Sequence, residues 1–154
     1  MDSGHPKDHP RAVTAAQVCA EARTWIGKPY RHQGRGPTDV DCVGLIIVVC
    51  GKLGLLPTVT RTDYGRLPNA ELIATARRLC IPIAEPEAGC LVLIQWPHDS
   101  TPAHGALCTG RNLIHAMGEA GRVVEHGFRG RWRRMAHSFY RLPGVTPPAP
   151  GAWL

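Results

Sequence analysis

Apolar side chains recur at helical spacing near the start of the chain. Ala15, Val18, Cys19, Ala22, Trp25 and Ile26 follow Thr14, a natural N-cap, and Gly27 with Pro29 stops the pattern, so a helix is predicted here. Tyr30 to Asp39 contains three Gly or Pro residues and reads as loop. From Asp41 to about Leu53 the chain turns almost wholly apolar. Its length and acidic first position favour a buried central helix, although Val and Ile also allow a strand. Residues 55–67, with Pro57, Tyr64 and Gly65, form a second loop. Pro68-Asn69-Ala70-Glu71 then opens an amphipathic helix to about Leu79.

The remainder changes period. Cys90 to Trp96, His104 to Thr109, Asn112 to Ala116, Arg122 to Phe128 and Met135 to Leu142 are short strand-like runs split by Gly, Asn or Pro. Gly110-Arg111 fits a tight hairpin. Helices first and antiparallel strands after make an α+β domain. The predicted domain spans residues 13–142. Residues 1–12 read as a flexible polar arm, and residues 143–154 as an extended Pro-rich tail.

Composition narrows the class. The chain has 154 residues, 44% hydrophobic and 19% charged, which suits one folded domain and excludes wholesale disorder. The 17 glycines and 14 prolines, roughly a fifth of the chain, disfavour a helical bundle. No apolar run approaches a membrane span, so no membrane insertion is expected. The opening Met1-Asp2-Ser3-Gly4-His5-Pro6 lacks a basic-then-apolar signal, which points to synthesis in the cytosol. The net charge of +6 suggests an anionic or protein partner. The six cysteines (Cys19, Cys42, Cys50, Cys80, Cys90, Cys108) form no C-x-x-C pair, so neither a zinc knuckle nor a thioredoxin motif is expected.

One cysteine stands apart. Cys42 falls in the first turn of the central helix, where unpaired N–H groups and the positive end of the dipole favour thiolate. Its base should be a histidine, from His98, His104, His115, His126 and His137 in the strand half. His104 and His115 flank the predicted hairpin, and antiparallel pairing can bring their rings together, one as base and the other to orient it. His126 and His137 are expected to be surface or strand-packing residues, and the other five cysteines to fill the core.

Four motifs occur in order: Ala22 to Tyr30, Asp41-Cys42-Val43-Gly44-Leu45, His104-Gly105-Ala106, and Leu113-Ile114-His115-Ala116. Together they resemble the NlpC family of papain-like cell-wall cysteine peptidases, more narrowly its branch in the tails of phages and gene-transfer-agent particles. The resemblance runs from about residue 14 to 142. It implies a helix carrying the cysteine packed on an antiparallel sheet. It also implies Cys42 as nucleophile, His104 as general base and His115 as the residue that orients it. Tyr30 would lie over the site, and Asp41 would help bind the amine of the substrate peptide. His32 and Gln33 are candidates to line the cleft. No metal or cofactor is implied. The implied substrates are peptidoglycan stem peptides, and the implied partners are tail hub or baseplate proteins that carry the enzyme to the wall. A structural tail component with weak or lost catalysis is the alternative. Val43 departs from the family's usual Ser after the nucleophile, and Gly89-Cys90 departs from its usual Gly-Asp. The arginines from Arg129 to Arg134 around Trp132 read as a solvated turn or protein-docking surface, with no nucleic acid expected.

Overall fold

The computed structural model describes residues 12–55 and 70–154. Thr14 begins the first helix, α1 (Ala15–Arg23), with a reciprocal cap. The Thr14 hydroxyl accepts from the Gln17 amide at 3.1 Å, and the Gln17 side chain accepts from the Thr14 amide at 2.8 Å. The apolar stretch after Asp41 is helix α2 (Cys42–Leu53), stopped by Gly54 in the left-handed conformation. Helix α3 (Glu71–Leu79) follows, and its expected opening at Pro68-Asn69 lies outside the described residues. So do almost all of the expected N-terminal arm and nearly all of the loop over 55–67.

Six strands then build one sheet: β1 (Ile81–Ile83), β2 (Leu91–Ile94), β3 (His104–Cys108), β4 (Asn112–Met117), β5 (Arg122–Gly127) and β6 (Ala136–Arg141). Their order is β1-β6-β2-β3-β4-β5, with every pairing antiparallel. A short helix, α4 (Arg131–Met135), joins β5 to β6. The α+β architecture expected from the change of period is therefore present.

The sheet is covered on both faces. On one, Val18 and Ala22 of α1 and Leu45 and Val49 of α2 pack on Leu93, Leu107, Ile114 and Ala116. On the other, Val92, Ile94, Ala106, Cys108 and Leu113 pack beneath Phe128 and Trp132. Strands β2 and β3 are consequently buried at every position, which explains their unbroken apolar runs. Cys19, Cys50, Cys90 and Cys108 are buried and Cys80 half-buried, all as free thiols. Among the described residues no helix is long and apolar enough to cross a membrane.

Two elements depart from the sequence expectation. Strand β1 holds only three residues and contains Pro82, so its local signal is weak; edge position is what makes a proline tolerable there. The arginine-rich segment is helical rather than a turn, because Trp132 anchors it to the sheet while Arg131, Arg133 and Arg134 stay exposed. The C-terminal segment runs without helix or strand and docks on the domain. Val145 bridges Val13, the Leu154 amide donates to the Thr109 carbonyl at 2.8 Å, and Arg111 lies 3.7 Å over the Trp153 ring.

Candidate active site

Cys42 is the first residue of α2, and the turn that presents it is fixed from behind. Asp41 is the N-cap: its Oδ1 accepts from the Gly44 amide at 2.7 Å, and its Oδ2 accepts from the Gln33 amide at 2.8 Å. Arg35 reaches the same carboxylate at 3.2 Å. Asp41 is 2% exposed, so its charge serves the loop-to-helix junction. The loop crosses so close to α2 that the Gly34 carbonyl occupies the space of a Cβ on Gly44. A side chain there is excluded, which is the physical reason for glycine two residues after the cysteine.

The Cys42 thiol lies against the backbone N–H groups of Gly105 and Val43. Burial raises its pKa to about 11. The Asp41 carboxylate pushes in the same direction, and the N–H groups only partly oppose them. The expectation of a thiolate at the helix start is thus corrected: desolvation outweighs the dipole, and the resting sulfur is protonated. Because the sulfur meets the Gly105 amide, it sits at the start of β3, at the backbone next to His104.

Strand pairing brings His104 and His115 together as the hairpin predicted. Cys108 faces Leu113 across β3 and β4, so His104 and His115 share a face and meet on a diagonal. Their rings bond Nε2 to Nδ1 at 2.6 Å. Burial lowers His104 to about 4; the neighbouring His126 adds to the shift, and Asp41 opposes it. Burial, then His104 and His126, lowers His115 to about 2.

The structure adds a third imidazole. His126 was expected at the surface or in strand packing, yet its Nε2 lies 2.6 Å from His115 Nε2. Its Nδ1 lies 3.0 Å from the Gly127 carbonyl. Leu113 pairs with His126 across β4 and β5, which puts all three histidines on one face. The available signal was their even spacing along consecutive hairpins.

Tyr30 is half-buried, with its ring beside Gly118 at the turn after β4 and its amide donating to the Gly121 carbonyl at 2.8 Å. That is the end of the sheet where β3 begins. His32 and Gln33 are half-buried in the loop leading to Asp41, and Gln33 adopts φ 63° there. Val43 is half-buried in the first turn of α2 and offers no hydroxyl. A cavity of about 420 Å³ opens next to the rings; its walls include Trp96 and Trp132, with Arg131 and Arg134 among its lining residues. Trp96 is 5.4 Å from His104 and Trp132 is 5.1 Å from His115, ring centre to ring centre. Among the described residues no group of three or more His, Cys, Asp or Glu is arranged to hold a metal ion.

The sequence model of the NlpC/P60 family matches residues 27–141, well over half of the chain. The chain belongs to the NlpC/P60 family. Solved relatives share its fold. An NLP/P60 family protein similar to lipoprotein, from Staphylococcus aureus, is 22% identical with a TM-score of 0.61, over 93% of this chain and 45% of that one. The NlpC/p60 domain of the peptidoglycan hydrolase SagA is 22% identical with a TM-score of 0.60, over 84% of this chain and 100% of the domain. An NlpC/P60 family protein from Bacillus cereus is 15% identical with a TM-score of 0.68, over 88% and 42%. This NlpC/P60 chain therefore spans under half the length of two of these relatives and matches the third across its whole domain. No curated protein is significantly similar to it in sequence.

Proposed function

We propose that this NlpC/P60 protein is a cysteine peptidase cutting amide bonds in peptidoglycan stem peptides, with Cys42 as nucleophile, His104 as general base and His115 orienting it. The observation that carries the reading is the 2.6 Å bond between His104 and His115, placed at the strand start that also receives the Cys42 sulfur. Both groups rest neutral, so the thiol proton passes to His104 as the sulfur attacks the carbonyl carbon. Backbone N–H groups at the start of α2 stabilise the oxyanion. His104 then protonates the departing amine, and water cleaves the thioester. Tyr30 acts on the substrate side, and Asp41 serves it from behind by holding the loop from Tyr30 to Val40 in place. The Arg131 and Arg134 side chains beside the cavity suit the carboxylates of a stem peptide.

The bond cut is that between D-glutamate and the diamino acid, and the protein works on a phage-like tail, docked to hub or baseplate proteins and delivered to the wall. Four motifs in order support this finer reading, and the net charge of +6 supports a docking surface.

Digestion of purified cell wall, followed by chromatography of the released peptides, tests the reading. The wild type should release peptides with a new amino terminus on the diamino acid, and Cys42→Ala and His104→Ala should not. Unchanged cleavage by Cys42→Ala would overturn the assignment. No cleavage by the wild type, with Cys42 alkylated no faster than the core cysteines, would favour the structural tail component.

A further inference from the structure

The three histidines form a chain with a definite polarity. The Gly127 carbonyl can only accept, so His126 Nδ1 must carry a proton. In a neutral ring His126 Nε2 is then an acceptor, and the 2.6 Å contact requires a proton on His115 Nε2. The same reasoning leaves His115 Nδ1 as acceptor and puts the proton of His104 on Nε2. His104 Nδ1 is therefore left with its lone pair bare, the state a general base needs.

We infer that His126 is a positioning residue for this site: through His115 it sets the tautomer of His104, and it receives the charge when the thiol proton is transferred. This rests on the Cys–His reading above. When His104 Nδ1 takes the proton from Cys42 Sγ, the Nε2 proton of His104 moves to His115 Nδ1. The Nε2 proton of His115 moves to His126 Nε2. Three N–H bonds form while one S–H and two N–H bonds break, and His126 ends as the imidazolium, still donating to Gly127. The reverse shift returns a proton from His126 Nε2 to His115 Nε2 and from His115 Nδ1 to His104 Nε2, as His104 gives its Nδ1 proton to the leaving amine.

The surroundings suit that division of labour. His115 is fully buried and His104 is 7% exposed, whereas His126 is half-buried. His126 also lies against the Trp132 ring, centroids 4.6 Å apart, whose face favours a cation. From β4 it faces His115, and from α4 it faces Trp132. Glu125 beside it pairs with Arg23 and Asn112, and Arg129 lies against Gly127.

Imidazole ¹⁵N–¹H correlation spectra of the whole protein at neutral pH test this without relying on activity. The expected pattern is Nε2–H on His104 and His115 and Nδ1–H on His126; Nδ1–H on a neutral His104 would overturn it. His126→Leu removes the acceptor, so His115 should turn its proton to Nδ1 and force His104 to the Nδ1–H form. Wall cleavage by His126→Leu should then fall about 100-fold in kcat with KM unchanged. His126→Gln restores an acceptor oxygen but no proton store, so it should keep the wild-type His104 tautomer and lose only about tenfold. An unchanged His104 tautomer in a folded His126→Leu protein would refute the inference. Absence of cleavage by the wild type would remove the peptidase reading, and the ¹⁵N pattern would still decide this one.

Discussion

The carbonyl oxygen of Gly34 fills the place that a Cβ on Gly44 would take. The loop before the nucleophile and the helix bearing it are thereby locked at backbone contact. Gly44→Ala should cost about 3 kcal/mol in denaturant unfolding, the upper range for overpacking, because the opposing atom is backbone. The same substitution should reduce wall cleavage more than tenfold, since relief requires the start of α2 to move.

Asp41 caps the helix and also biases both reacting groups. Asp41→Ala should lose about 2–3 kcal/mol, combining a missing cap with the loss of the Arg35–Asp41 ion pair. Asp41→Asn should cost less. Without the negative charge, the Cys42 thiol should ionise below about 11, and His104 should protonate below about 4. Iodoacetamide labelling of Cys42 against pH should show a midpoint shifted to lower pH in Asp41→Asn.

Burial of the histidine rings makes the fold acid-sensitive. His104 and His115 bind protons at about 4 and about 2 in the folded protein, against 6.5 for an ordinary imidazole. Below pH 6.5 the unfolded chain therefore binds more protons, and stability falls with pH until the folded rings titrate. From pH 7 to 5.5 the loss should be roughly 2 kcal/mol, read from urea unfolding at each pH. Replacing His115 by Leu should flatten that dependence, and an unchanged slope would contradict the assignment.

Trp132 holds α4 on the sheet and borders two of the three rings. Trp132→Ala should destabilise by about 3 kcal/mol, while Trp132→Phe should cost less than half as much. Both are measured by thermal or denaturant unfolding.

Much of the fold is legible in local pattern. Thr14, Asp41 and Gly54 mark helix ends because caps are short-range chemistry, and the change from helical to strand period marks where the sheet begins. The His104–His115 pair follows from hairpin register, since the side-chain period of two keeps both rings on one face. Strand β1 and helix α4 escape that logic. Each is short, and each exists because of distant partners: β6 for Ile81–Ile83, and the far face of the sheet for Trp132.

The sequence alone determined that helices precede an antiparallel sheet, the placement of Cys42 at a helix start and the candidate pairing of two histidines. Only the tertiary structure decided the protonation of those groups. Ionisation depends on how much water is excluded and which charges face inward, and neither is local to the chain. The dipole at Cys42 can be read from a helix boundary, but the burial that overrides it comes from packing against β3. The contact of His126 with His115 is decided in the same way: it exists only because β5 pairs with β4.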